Sequence, residues 1–357
     1  MSHFIRNGNT WRVADDASLD IHNRLPAGNY VIKQDQFGNL FLEEVDRFEI
    51  RGKVYGDALR NRDRIYDTFM DRAVSTGVML TGEKGSGKTM LAKSLAIKCA
   101  EAGSPCILIN SAWRGDAFAK LLQDIHQPCM VLFDEFEKVY DNDEQEEMLT
   151  ILDGVFPSKK LFVLTCNDKW RVNQHMRNRP GRIFYMLDFR GLDEDFVVEY
   201  CHDNLKNLAN IDGVLTVSGL FGEFNFDMLK ALVEEMNRYG ETAQEAMRML
   251  NTKPEFGDGG EYKVTLVPVG REPLKPEEFD ENEWEGNPLT HRRGWHYGYD
   301  SDPETDDRET WYRMQFNNQD LKKVEGKDGK FVYVNGQGDT LILTRKRERY
   351  NYHWDAF

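Results

Sequence analysis

The chain has 357 residues, enough for one large domain with appendages or for two to three modules, and enough to bury a full core without disulfide staples. Its 46 basic and 61 acidic residues give a formal net charge of -15, which excludes non-specific attraction to nucleic acid or anionic lipid over the whole surface and leaves room only for a local basic patch. The cysteines, Cys99, Cys106, Cys129, Cys166 and Cys201, are odd in number and lack close pairs, so the chain reads as reduced and cytosolic, with neither a disulfide framework nor a thiolate metal site. The first residues lack an apolar signal core, and no stretch approaches the roughly 20 apolar residues that cross a bilayer, which disfavours secretion and membrane spanning.

Residues 1–50 read as a small β-rich element. Gly28 to Gln34 and Asn39 to Val45 flank the turn-like Asp35-Gln36-Phe37-Gly38 and predict a hairpin. A lone two-stranded ribbon is marginal, so this one is expected to pack on the next module or on a neighbouring subunit. From 51 to 190 short apolar runs (78–81, 106–109, 130–133 and 161–165) alternate with amphipathic stretches at 88–101 and 115–125. That is the pattern of a parallel sheet covered by helices on both faces, an α/β domain. Residues 191–254 carry helical periodicity over 193–208, 225–239 and 241–250, a small helical module.

From 255 to 357 the composition shifts to a β-rich, acidic module. Glu261 to Val269 alternates as a strand, and Lys330 to Val334 with Thr340 to Thr344 bracket a turn at 335–339. Trp284, Trp295, Trp311 and Trp354 lie here, and two readings stand for the first three: aromatic anchors for a basic protein segment, or the core of the module itself. Arg292-Arg293 near Trp295 and His296, with Arg345-Lys346-Arg347, are the candidate nucleic-acid contacts.

The strongest local signal is Gly82-Glu83-Lys84-Gly85-Ser86-Gly87-Lys88-Thr89, followed by Met90, placed after a buried strand and opening a helix. Glycines let backbone amides curl toward a β-phosphate, and the helix start adds positive potential. Lys88 would reach the β and γ oxygens, and the Thr89 hydroxyl would bind magnesium. Asp134-Glu135 closes the apolar strand 130–133, 45 residues after Thr89. Asp134 suits the metal and Glu135 suits polarisation of the attacking water. Asn167 ends the next predicted strand, where its amide offers both donor and acceptor to that water.

This order of motifs, followed by Arg177-Asn178-Arg179-Pro180-Gly181-Arg182, resembles the AAA+ ATPase superfamily, its classical AAA branch with BCS1-like features, over roughly residues 50–252. The resemblance implies a P-loop AAA+ α/β domain followed by a helical lid, with ATP and Mg2+ as ligands, and a homo-oligomeric ring, a hexamer in most members, that remodels protein clients. It assigns Gly82 to Thr89 as Walker A, Leu132 to Glu135 as the end of Walker B and Asn167 as sensor 1. Arg182 matches the first arginine finger, with Arg179 at the interface or supporting it. Tyr55-Gly56 lies where relatives wrap the adenine. Trp113-Arg114-Gly115 resembles an aromatic-x-glycine pore motif, in which Trp113 is either a grip on substrate or a buried anchor for the next helix. The chain departs from the pattern at Tyr185, which stands where many members carry a second finger, and at Phe224-Asn225-Phe226-Asp227, which lacks the usual Gly-Ala pair and offers no sensor-2 arginine. Two rivals remain: a nucleic-acid-processing motor or loader, and a nucleotide-controlled scaffold with little turnover.

Overall fold

Alternation within the apolar runs decides which layer each side chain enters. A computed structural model of the protein describes residues 2–7, 10–15, 20–154, 156, 158–177, 179–189, 191–221, 224–251, 260–288, 293–298, 311–325 and 330–346. Asn178, His291, Arg292, Arg347 and Trp354 lie outside them. The chain forms two compact units, residues 1–189 and 190–357.

The first unit opens with an antiparallel hairpin, β1 (Ser2–Asn7) and β2 (Thr10–Asp15), followed by β3 (Asn29–Gln34) and β4 (Leu40–Val45). Then come α1 (Ala58–Asp71), β5 (Thr76–Gly82), α2 (Lys88–Glu101), β6 (Cys106–Ile109), α3 (Gly115–Asp124) and β7 (Cys129–Phe133). The short α4 (Phe136–Val139), α5 (Asn142–Leu152), β8 (Lys160–Cys166), α6 (Gln174–Arg177) and β9 (Tyr185–Phe189) complete it. Seven strands join in the order β4-β3-β6-β7-β8-β5-β9, parallel except for β4 at one edge.

Val78, Leu80, Met130, Leu132, Leu161 and Val163 face α1 and α2, where they meet Ile65, Phe69, Leu91 and Leu95. Their neighbours Met79, Val131, Phe133, Phe162 and Leu164 face the other way, against Phe118, Leu122, Met148 and Ile151 of α3 and α5. Each such side chain, fully buried, contributes roughly 1.5–3 kcal/mol of transfer free energy, so the continuous apolar runs suit a sheet covered on both faces. Among the described residues no helix is long and apolar enough to cross a membrane.

The hairpin predicted at residues 28–45 does not stand apart as a separate preface. β3 pairs in parallel with β6 and so extends the central sheet, with Ile32 inside its core. Two unpaired ribbon edges are thereby reduced to one. The turn is held by Asp35, whose carboxylate accepts from the amides of Phe37 and Asn39, both at 2.9 Å.

Residues 190–357 contain α7 (Glu194–Asn204), α8 (Ile211–Ser218), α9 (Phe226–Tyr239) and α10 (Ala243–Met249). Asp193, Asn225 and Thr242 cap three of them, Thr242 in a reciprocal box with Glu245. The departure at 224–227 has a physical reason: Asn225 is the cap, and Phe226 packs edge-on against Phe196 and Tyr200. A five-stranded antiparallel sheet follows, ordered β11-β10-β16-β15-β14, from β10 (Gly260–Val267), β11 (Glu283–Gly286), β14 (Leu321–Glu325), β15 (Lys330–Val334) and β16 (Thr340–Arg345). A hairpin of β12 (Arg293–Gly298) and β13 (Trp311–Phe316) accompanies it. Leu220, just past α8, packs on the core of the β-rich part, so helices and strands form one unit here.

Close approach of backbone to backbone fixes the last strand of the large sheet. At Gly77 in β5 an added Cβ would lie 1.9 Å from the carbonyl oxygen of Arg182, while at Gly181 it would meet nothing within 4 Å. Gly77→Ala is expected to lower stability by about 1–3 kcal/mol, and Gly181→Ala by less than about 0.5 kcal/mol. Urea midpoints at unchanged slope would check the pair.

Candidate functional site

Parallel register brings distant residues to one edge of the sheet. Thr81 of β5 pairs with Cys166 of β8, and Phe133 of β7 pairs with Leu164 of β8. One step further along each strand, Gly82 comes level with Asn167, and Asp134 with Thr165. Because β8 lies between β5 and β7, Asn167 stands between the glycine-rich loop and the acidic pair. Ligands of such sheets bind at this carboxyl edge.

The loop between β5 and α2 reverses through Gly85 and Gly87, with φ of 76° and 101°, values that exclude most side chains. Gly87 caps α2, so the first free amides of that helix open on the loop. Lys88 is 6% exposed and folds inward, its Nζ donating to the carbonyls of Gly82 at 2.5 Å and Glu83 at 2.6 Å. Burial pushes its ammonium below the ordinary lysine value, and Cys166, Glu137, Asp134 and Glu135 oppose that shift. Thr89 and Asp134 are exposed. A hydroxyl and a carboxylate are hard oxygen donors, which fits magnesium, and a glycine-rich loop running into a helix start fits phosphate.

The acidic pair is held by Thr165. Its hydroxyl donates to Asp134 Oδ1 at 2.6 Å and accepts from the Glu135 amide at 2.9 Å. Glu135 is the only non-glycine among the described residues with positive φ, at 51°. A carboxylate in that left-handed conformation persists only where its surroundings impose it. Its Oε1 pairs with Lys138 Nζ at 2.5 Å and lies 3.4 Å from the Asn167 side-chain amide. The Lys138 ammonium, helped by Asn167, holds the Glu135 carboxyl below the usual range. Asn167 is also bound by Glu137, whose Oε1 accepts from its backbone and side-chain amides, both at 3.0 Å.

The structure therefore brings together Gly82 to Thr89, Asp134, Glu135 and Asn167, and it adds Thr165, Glu137 and Lys138, which sequence reasoning missed. Thr165 was legible in principle, two residues before Asn167 on the same face of a strand. Glu137 belonged to the run Asp-Glu-Phe-Glu but had no spacing to single it out.

The two arginines, Arg182 and Arg179, have different surroundings within the chain. Arg182 folds back within its own chain, its guanidinium on both oxygens of Asp153 and its Nη1 donating to the His175 carbonyl at 2.9 Å. Its side chain is only 9% exposed. Arg179, three residues earlier, is exposed. The outward guanidinium of this segment is thus Arg179.

Trp113 is half-buried against the sheet core, its indole nitrogen covered and its carbonyl accepting from Tyr140 at 2.9 Å. Arg114 pairs with Glu144 at 2.8 Å, and Gly115 opens α3. Tyr55 is half-buried with Lys53 Nζ 5.0 Å from its ring centre, and Gly56 follows with φ of 63°.

In the β-rich part, Trp295 is 1% exposed and its indole donates to the Glu281 carbonyl at 3.0 Å. Arg293 is buried between the rings of Trp284 and Tyr333, 4.7 and 4.5 Å from their centres. Lys346 pairs with Glu283 at 2.5 Å. Trp295 and Arg293 serve the module's own packing, and Lys346 is ion-paired.

Residues 78–189 match the family model described as ATPase family associated with various cellular activities (AAA). Among curated proteins, the chain is 30% identical over 172 residues to the ATP-dependent zinc metalloprotease FtsH 3 of Synechocystis sp., covering 42% of this chain and 27% of that protein. It is 29% identical over 147 residues to FtsH of Halothermothrix orenii, with 35% and 22% covered. It is 27% identical over 140 residues to a putative cell division cycle ATPase of Plasmodium falciparum, with 33% and 11% covered. The match to either FtsH protein spans about a quarter of the relative's length. Among solved structures, a Thermotoga maritima RuvB variant aligns with a TM-score of 0.40 at 14% identity, over 56% of this chain and 71% of that one. The FIGL-1 AAA domain with ADP aligns with a TM-score of 0.40 at 18% identity, over 58% and 77%. Residues 78–189 are therefore similar to the AAA ATPase family, within a P-loop α/β fold.

Proposed function

We propose that the protein is a magnesium-dependent ATP hydrolase that works as a self-associated ring, a hexamer, and uses the hydrolysis to remodel protein clients. The observation that carries the hydrolytic part is the meeting, at one sheet edge, of the glycine-rich loop with Asp134, Glu135 and Asn167. A binding-only site needs no second carboxylate beside the metal-binding one. Magnesium would be held by Thr89 and Asp134 and would offset charge on the phosphate oxygens. Lys88 would exchange its loop carbonyls for phosphate oxygens. Glu135 and Asn167, 3.4 Å apart, would orient the attacking water between them.

Self-association is supported by Arg179, an exposed arginine beside a segment whose other finger candidate, Arg182, is engaged by Asp153. A guanidinium delivered to an adjoining copy stabilises charge on the transferred phosphoryl group. For the client, proteins are favoured over nucleic acid because Arg293 and Trp295 are buried and Lys346 is ion-paired. The ATP-dependent proteases among the similar proteins act on proteins by name, which agrees with this choice.

Lys88→Ala is expected to weaken Mg-ATP binding at least about tenfold, or about 1.4 kcal/mol, read by titration with a fluorescent nucleotide. Unchanged binding would refute the phosphate site.

Glu135→Gln is expected to keep Mg-ATP binding within about threefold while hydrolysis falls roughly 100-fold or more. Captured with ATP, this variant should retain a protein client. Recovery dominated by nucleic acid, with wild-type hydrolysis stimulated by nucleic acid and suppressed by salt, would instead support the loader reading.

Arg179→Ala is expected to lower hydrolysis about 1000-fold with binding intact, and mixing it with Lys88→Ala protein should restore part of the rate. Each partner then supplies what the other lacks. A mixture no faster than its components would rule out donation between copies.

A further inference from the structure

Glu137 is a carboxylate that nothing in the motif pattern accounts for. It sits in α4, immediately past the left-handed turn at Glu135, and is 6% exposed. Its Oε1 accepts two hydrogen bonds from one residue, the backbone and side-chain amides of Asn167, each at 3.0 Å. Its Oε2 is buried with no hydrogen-bond partner among the described residues. A carboxylate placed only to satisfy itself would divide its donors between both oxygens. This one spends a single oxygen twice on the same residue.

The geometry of that grip has a consequence at the reacting edge. Asn167 follows β8 with no further strand pairing to hold it, so its backbone position and its side-chain rotation both rest on Glu137. With Nδ2 fixed toward Glu137 Oε1, the same nitrogen lies 3.4 Å from Glu135 Oε1. Released, the amide could turn over and present its oxygen to the carboxylate, a repulsive arrangement. The site is electrostatically shared as well: of the three carboxylates acting on the Lys88 ammonium, Glu137 acts most strongly.

We propose that Glu137 is the positioning residue of the hydrolytic centre, fixing the place and the rotation of the Asn167 amide beside Glu135. It acts through Asn167. This assignment rests on the ATP-hydrolysis reading for its kinetic consequence but not for its structural one.

The test uses the full chain with Glu137→Gln, Glu137→Ala, Asn167→Ala and the double alanine variant. Gln keeps an acceptor oxygen of the same reach, and Ala removes it. Hydrogen exchange without nucleotide should show the Asn167 backbone amide protected in wild type and Glu137→Gln and deprotected in Glu137→Ala. With Mg-ATP, Glu137→Ala should lose roughly 10- to 100-fold in kcat with KM within about threefold, Glu137→Gln should recover most of that loss, and the double variant should be no slower than Asn167→Ala alone. Should Glu137→Ala fail to fold, Glu137→Gln and the Asn167→Ala comparison still decide. Protection at Asn167 unchanged by Glu137→Ala, additive losses in the double variant, or Glu137→Gln losing both protection and kcat would each overturn the proposal. A wild-type protein that shows the exchange pattern but hydrolyses no ATP would sink the functional reading and leave the Glu137 grip standing.

Discussion

The pairing of β8 between β5 and β7 is the constraint on which the candidate site depends. The glycine-rich loop and the acidic pair belong to strands that never touch each other, and β8 is what sets their spacing and their level. The link is chemical as well as geometric. Thr165, inside β8, ties both Asp134 and the Glu135 backbone to it, and Asn167 continues the same strand toward the loop. A slip of one residue in this register would send Thr165 to the opposite face and leave a buried hydroxyl without its acceptor.

Much of this was legible in the sequence, for definable reasons. The loop Gly82 to Thr89 and the strand ending in Asp134-Glu135 are local signals: consecutive residues, an apolar run and an abrupt change in polarity. The two-faced strands could be read because their runs were continuous. What escaped needed partners from elsewhere in the chain. Glu137 means little until β8 ends beside it, and the pairing of Arg182 with Asp153 joins residues 29 positions apart. The hairpin at 28–45 was read correctly as a hairpin, but its role in the central sheet depended on a parallel pairing with β6 that turn chemistry does not encode. Trp113 was balanced between two readings because an aromatic near a glycine has the same local pattern in a pore loop and in an anchored one.

The arginine segment places two neighbouring cations differently within one chain. Two guanidiniums three residues apart have different surroundings: Arg182 grips the Asp153 carboxylate in a bidentate arrangement that fixes the fork, and Arg179, exposed, adds its charge to the same carboxylate. Within one chain, then, Arg182 braces the segment and Arg179 extends from it. Gly77, pressed against the Arg182 carbonyl, sets how closely this segment can approach the sheet. The reach of Arg179 is therefore tied to a tight contact inside the core.

The inward fold of Lys88 has a further thermodynamic meaning. Its ammonium already holds two carbonyls of the loop, so the curled backbone is stabilised by the protein itself. On the proposed reading, capture of a phosphate would exchange one set of oxygen acceptors for another. Nucleosides and monophosphates would then place no β-oxygens in that curl and would offer the lysine nothing to exchange for, so the resting loop itself would favour longer phosphate chains.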